Sequence, residues 1–579
     1  MAVPRLRFPA SQPDLARRRA GRVSDDVELY HRTYATLLRS AGETLLRVLE
    51  PSHRAMGSSL HPLADSDEPD LGAFLYATHR LPAGIANARK VVMGQDASAF
   101  GRNGLGPLDG WETVEAPARR RRWHYDGEGT FAVLIASSSD LDDLLPTLVA
   151  YQLEWNKLHR LLSGLSLPEG HELLTAAWCA QTLGASEADW LRVAEAWGGE
   201  LHGFLERVAR ADLDLRIRML GGSEVGYARM TRRWWEPVME CLREQGLAER
   251  PLYFVSSNTH SLVNLVTGTA RAAEPEIVGW LEQHGPEYLL AELEKFRAGR
   301  AKGSWENFLY FCARDYFNAH PESSALWARR RKEERAAGVT HIPSSTALRV
   351  SAQVIAPDRL DPQALDPRLG PIDAARLANC DCAIVNIDYP LGLAAYNILR
   401  EIAESTDTLR GVYVLGKAAT LNADVGDVMI SDVVHDEHSG STYWLDNAFS
   451  FADVQPFLVF GSGLDSQRAV TVKSTFLQNR EYLDFYYREA FTVVEMEAGA
   501  FCGAVYEIAD VDRAPTGEAV NFSKLPVDFG VIHYASDTPY TQARTLGARG
   551  LSYFGMDSTY AASVAILRRV LALNGVLAV

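Results

Sequence analysis

The sequence predicts an α/β protein in two parts: a helix-rich α/β domain in the amino-terminal half, and a carboxyl-terminal domain with a mixed central sheet flanked by helices. Three observations carry this. Apolar runs of strand length recur along the chain, each ending in small or hydroxyl residues and followed by a helical pattern, as in sheets built through crossover helices. The mixed-charge block Trp327 to Ala337, read as a solvated helix end, stops at Gly338 and Pro343-Ser344-Ser345, which puts a domain boundary near residue 340. At 579 residues the chain is also too long for one ordinary core.

Residues 1–24 carry several arginines and prolines with no apolar stretch and are expected to be disordered. The domain of residues 25–340, to which the sequence gives no role, opens on Asp25 to Leu49, where Leu29, Tyr34, Leu37, Leu38 and Leu45 have amphipathic helical spacing. Phe131 to Ala136 is a strand that ends in Ser137-Ser138-Ser139-Asp140 before a helix from Leu141 to Leu162. Leu252 to Val255 repeats the plan with Ser256-Ser257-Asn258-Thr259-His260 and a helix from Ser261 to Val266. Without a glycine-rich loop or a Gly-Lys-Ser/Thr step, these hydroxyl residues read as N-caps rather than phosphate cradles. Glu154 to His159 reads as packing plus solvent contact, and Arg119 to Arg122 as a solvated or salt-bridged edge.

In residues 345–579, Val350 to Ile355 and Cys382 to Ile387 are strands, the second followed by the turn Asp388 to Gly392 and a helix from Leu393 to Ile402. Gly411 to Leu415 is a buried strand, with Gly416-Lys417-Ala418 as a small-residue turn after it and Val425-Gly426-Asp427 beyond. Val531 to Ala535 is another strand, ending in Ser536-Asp537-Thr538-Pro539. His435-Asp436-Glu437-His438 has metal-ligand residue types but lies in a polar stretch after a strand and reads as a surface loop.

The formal charge of −16 disfavours binding to a nucleic-acid backbone. Six dispersed cysteines make no disulfide scaffold, and Cys380-Asp381-Cys382 lacks the second pair of a zinc site. No run is long and apolar enough to span a bilayer, so the expectation is a cytoplasmic protein with no membrane partner.

The chemistry concentrates in Val493-Val494-Glu495-Met496-Glu497-Ala498-Gly499, where carboxylates sit between an apolar run and a small-residue helix start. A carboxylate there is costly to desolvate and suits a ligand that offers hydroxyls, as a sugar does. Asp537, at the end of an apolar strand, is an expected seat for a general acid.

Gly416 to Asp427, Glu495-Met496-Glu497 and Ser536-Asp537, in this order, resemble the nucleoside phosphorylase and nucleosidase superfamily, which includes purine nucleoside phosphorylases and methylthioadenosine nucleosidase. The resemblance covers residues 345–579; the whole chain also resembles an uncharacterised family of long bacterial proteins. It implies a phosphorylase-like domain that cleaves the N-glycosidic bond of a purine nucleoside or nucleotide. By this resemblance Met496 and Glu497 hold the ribose, Ser536 and Asp537 supply the acid that protonates the purine, and Phe476 stacks on the base. Gly416, Lys417 and Ala418 lie beside the sugar, nucleophile or a phosphate; Arg359, Asp358 and Gly392 are the further candidates for a phosphate or water site.

Cleavage builds positive charge on the sugar and negative charge on the leaving base, so an acid near the base and acceptors on the sugar hydroxyls both lower the barrier. Phosphorolysis and hydrolysis both stay open, because Val414 stands where relatives carry a phosphate-binding arginine. No metal or organic cofactor is implied, inorganic phosphate is a candidate co-substrate, and self-association into a homo-oligomer is expected by analogy. The alternative is a noncatalytic nucleoside sensor.

Overall fold

The computed structural model describes residues 26–37, 39, 42–165, 174–199, 201–510, 513–522, 524–539, 553 and 555–577. The expected disorder of residues 1–24 lies outside them. The chain forms two compact units, each discontinuous in sequence.

The first unit comprises the chain up to Leu134, Leu141–Gly221 and Ser474–Glu489. Its sheet contains β1 (Thr44–Leu45), β2 (Lys90–Gly94), β3 (Glu112–Ala116), β4 (Arg119–Tyr125), β5 (Thr130–Leu134) and β6 (Arg216–Met219), in the order β1-β6-β2-β5-β4-β3. The central strands β6, β2 and β5 are parallel. The first helix is shorter than its spacing predicts: residues 26–37 are helical, whereas Thr44–Leu45 joins the sheet and Leu29 is exposed. The basic run is a salt-bridged strand, with Arg119 and Arg121 both on the buried carboxylate of Asp143. Glu154 and Lys157 are fully buried, paired with each other at 2.7 Å and, through Glu154, with His61 at 2.7 Å, so this helix face is more polar inside than its pattern suggests.

The second unit comprises Ile135–Asp140, Gly222–Lys473 and Ala490–Val579. Its sheet takes in β7 (Leu252–Ser257), β8 (Val339–Ile342), β9 (Ala352–Ile355), β10 (Ala383–Asp388), β11 (Leu409–Thr420), β12 (Val428–Asp436), β13 (Thr442–Leu445), β14 (Gly463–Thr471), β15 (Val493–Glu495), β16 (Ala519–Phe522) and β17 (Asp528–Asp537). The boundary expected near residue 340 falls inside this unit, because β7 lies between β10 and β11 and is parallel to both. The mixed-charge helix Ala325–Ala336 is likewise no solvated linker: Arg330 and Glu334 are buried and paired at 2.6 Å.

β7, β10, β11 and β17 run parallel and bring their carboxyl ends to one edge. β11 pairs with β17, β17 with β12, β12 with β14, β14 with β15, and β15 with β11 again, which closes a five-stranded ring. The core beneath is built from the buried faces of β7, β10 and β11 with the helices Glu274–His284, Trp305–Asn318 and Met556–Leu573. The last of these is buried almost all round, in keeping with its run of apolar and small residues. Among the described residues no helix is long and apolar enough to cross a membrane.

Candidate functional site

The site begins where β11 passes from one neighbouring strand to another. Because β17 pairs with β11 along residues 411–419, β7 and β15 must share the opposite edge. On that edge the register with β7 runs to Val414 and the register with β15 begins at Ala419, so residues 415–418 lie between the two strand ends. Gly416, Lys417 and Ala418 thus line an opening between two strand ends, as a ligand lying against backbone requires. They do so within the strand, not in a turn: β11 continues to Thr420, because β17 supplies partners for Gly416, Lys417 and Ala418. Lys417 is exposed and Ala418 buried.

Glu495, Met496 and Glu497 stand where β15 leads into the helix Ala498–Ala509. Glu495 is the anchor. Its buried Oε2 accepts the backbone N–H groups of Glu497 and Ala498, both at 2.7 Å, and Oε1 accepts the hydroxyl of Thr471. Thr471 in turn accepts the N–H of Gly499 at 2.7 Å, and a Cβ on Gly499 would come within 2.6 Å of Asp436, so only glycine fits there. Two orphan donors of the helix start are thereby satisfied without Glu497, whose side chain makes no cap. Instead Glu497 receives the N–H of Gly392 on Oε1 at 3.3 Å.

Gly392 is buried and left-handed, with φ of +52°. A Cβ there would meet the Ser139 hydroxyl at 2.3 Å, so Gly392→Ala combines backbone strain with overpacking and is expected to cost about 1–3 kcal/mol. Thermal unfolding checks this; an unchanged midpoint would contradict it. Ser139, fully buried at the start of the helix Ser138–Leu162, accepts the N–H of Leu393 at 2.9 Å and lies 3.4 Å from Nε2 of His438. Nδ1 of His438 is 2.9 Å from Asp436. Burial pushes the Asp436 carboxyl up, but hydrogen bonds from His438 and Ser439 outweigh it and hold the group below its ordinary value. His435 and Asp436 thus end β12, with Asp436 buried, and Glu437 and His438 open the turn after it, not a plain surface loop; among the described residues no cluster of three or more His, Cys, Asp or Glu could hold a metal.

On the other side of the opening, Asp537 ends β17. Ala419 is in register with Val494 on one side and Asp537 on the other, which brings the acid and the Glu495–Glu497 turn to the same stretch of β11. A register shift at Ala418/Ala419 leaves Ser536 as the extra residue, and its hydroxyl bonds the Ala418 carbonyl at 3.3 Å. Asp537 is buried, with 2 % of its surface exposed.

Asp358 and Arg359 lie at another edge of this sheet. β9 is antiparallel to β10, so the segment after it, with Asp358 and Arg359, emerges at the opposite edge of the sheet. There Asp358 pairs with Arg250 at 2.9 Å and Arg359 bonds Gln245. Phe476 belongs to the first unit, where its ring is buried against Tyr76, His53 and His61.

The carboxyl edge also carries residues to which the sequence reading gave no part in the site. After β7, Asn258 Oδ1 accepts the N–H groups of His260 and Ser261, while the N-cap itself, His260, makes no side-chain cap. His260 is pushed down to about 3 by burial and the nearby Arg314 and Arg330, and is neutral. After β10, the hydroxyls of Tyr389 and Tyr534 meet at 3.2 Å, and burial raises both phenols. The signals were present as hydroxyl-rich turns and a Tyr-Pro-Leu-Gly turn, but nothing local tied them to one edge.

The model of a family of unknown function, DUF6909, matches residues 46–572, and the chain belongs to that family. No curated protein matches the chain by sequence. Among solved structures it is similar to uridine phosphorylase from Schistosoma mansoni in complex with uracil, at 9 % identity and a TM-score of 0.30 over 58 % of this chain and 91 % of that one. It is similar to the 5'-methylthioadenosine/S-adenosylhomocysteine nucleosidase from Colwellia psychrerythraea 34H in complex with adenine, at 12 % identity and 0.28 over 42 % and 89 %. It is also similar to purine nucleoside phosphorylase from Toxoplasma gondii, at 11 % identity and 0.28 over 43 % and 88 %. These distant similarities extend over part of the chain.

Proposed function

Because that family carries no assigned function, we propose one from the residues: the protein cleaves the N-glycosidic bond of a purine nucleoside or nucleotide. The observation that carries this is the meeting at Ala419 of β11 of two acidic strand ends: Val494 of β15, which leads into Glu497, and the buried acid Asp537 of β17 are both in register with it. Met496 and Glu497 hold the sugar, Glu497 as acceptor of its hydroxyls, and Asp537 delivers a proton to the departing base. Ser536 helps to seat the acid through the register shift that it occupies. Gly416 and Ala418 let the ligand approach the backbone, and the Lys417 ammonium, exposed on the same strand, suits a phosphate of the substrate or inorganic phosphate itself.

The position of Asp358 and Arg359 at the opposite edge favours a second reading, a noncatalytic nucleoside sensor, since neither then serves as water activator or phosphate ligand. One experiment separates the readings. Incubation with a panel of purine nucleosides and nucleotides, with and without phosphate, is expected to release free base. Release only with phosphate marks a phosphorylase and release without it a nucleosidase; binding with no release would overturn the enzymatic reading in favour of the sensor.

A further inference from the structure

The second unit contains a serine, a histidine and an aspartate in line. Asp436 Oδ1 is 2.9 Å from Nδ1 of His438, and Nε2 of the same ring is 3.4 Å from Oγ of Ser139. A carboxylate can only accept, so Nδ1 carries a proton toward Asp436, and in the neutral tautomer this leaves Nε2 to accept the Ser139 hydroxyl. Asp436 is fixed in its turn by the backbone N–H of His438 at 3.1 Å and by the N–H and hydroxyl of Ser439 at 3.1 and 2.7 Å.

This order of groups is that of an activated serine, but the surroundings are not. Ser139 has no exposed surface, and its hydroxyl and Cβ fill the space where a Cβ of Gly392 would stand, so it is packed against the turn and not presented to solvent. What Ser139 Oγ does have is a second bond: it accepts the backbone N–H of Leu393 at 2.9 Å. The neighbouring N–H, that of Gly392, goes to Glu497 Oε1 at 3.3 Å. The turn at 392–393 is therefore held by two successive amides, one on each carboxylate system.

We infer that Asp436, His438 and Ser139 form a positioning relay that fixes the Gly392–Leu393 turn, and that this turn sets where the Glu497 carboxylate meets the sugar hydroxyls of the substrate. The inference rests on the glycosidic-bond reading for its substrate but not for its geometry, and the two are tested apart. His438→Ala removes the link between Asp436 and Ser139, while His438→Gln keeps an amide donor toward Asp436 and an acceptor toward Ser139.

Hydrogen exchange in the full-length protein, followed on peptides that contain Gly392 and Leu393, reads the relay without any substrate. Exchange there is expected to speed up by about tenfold in His438→Ala and Ser139→Ala, the loss of one buried hydrogen bond, and to return toward the wild-type rate in His438→Gln. Base release from a ribonucleoside and from its 2'- and 3'-deoxy analogues then reads the effect on the sugar. The alanine variants are expected to raise KM for the ribonucleoside by about tenfold and to leave KM for the analogue lacking the hydroxyl bound by Glu497 nearly unchanged.

Unaltered exchange at Gly392 and Leu393 in both alanine variants would overturn the relay, as would covalent labelling of Ser139 in the wild-type protein by a fluorophosphonate, the mark of a reactive serine. An equal loss on ribo- and deoxynucleosides would overturn the link to Glu497. Faster exchange in a protein whose wild type releases no base would leave the relay standing and sink the glycosidic-bond reading alone.

Discussion

Asp537→Asn is expected to lower the rate of base release by about 10²- to 10⁴-fold, the range over which a positioned general acid acts. Asparagine preserves shape and hydrogen bonding but has no proton to give. Nucleoside affinity, measured by calorimetry on the same variant, is expected to stay within about threefold, since the acid acts on charge that develops only as the bond breaks. The effect is expected to be large because of where Asp537 stands: at the end of a strand paired with β11, buried, one residue past a bulge that re-aims its side chain. Wild-type turnover by the asparagine variant would remove Asp537 from the chemistry.

The second large effect is on stability. Glu495→Ala is expected to destabilise the protein by about 3–5 kcal/mol, because two backbone N–H groups and the Thr471 hydroxyl lose one buried acceptor together. Glu495→Gln keeps one carbonyl oxygen for the two amides and can turn its own amide toward Thr471, so about 1–2 kcal/mol is expected for it. Urea unfolding followed by tryptophan fluorescence checks both. An alanine variant that unfolds at the wild-type midpoint would show that Glu495 is not the anchor of the turn. The same substitution is expected to impair base release, since the backbone N–H of Glu497 is one of the groups set adrift.

What could be read in the sequence divides along the reach of the forces involved. The strand-to-helix junction at Glu495–Glu497 was legible because desolvation acts on the residue itself: an acid between Val494 and Ala498 is unusual whatever the fold. The run of β11 through Gly416–Ala418 was not. Small residues look like a turn locally, and it is pairing with β17, more than a hundred residues later, that keeps them extended. Asp358 follows a strand, as expected, but only the antiparallel sense of β9 decides which edge it reaches. That the chain passes at Ser474 into the other unit, carrying Phe476 with it, has no local signal either. Ser139 and His438 are 299 residues apart, and no periodicity joins them.

The closed ring of strands has a consequence for how the protein is made. Its last member, β17, is followed by only one further described helix, whereas β7, in the same sheet, is complete in the first half of the chain. A ribosome must therefore translate past residue 537 before the ring can shut. Until then β11 and β12 each wait with an open edge, and such edges are where chains stick to one another. Slow, nonlocal closure of this kind leaves strand edges exposed for longer during folding than a sheet of sequential hairpins would.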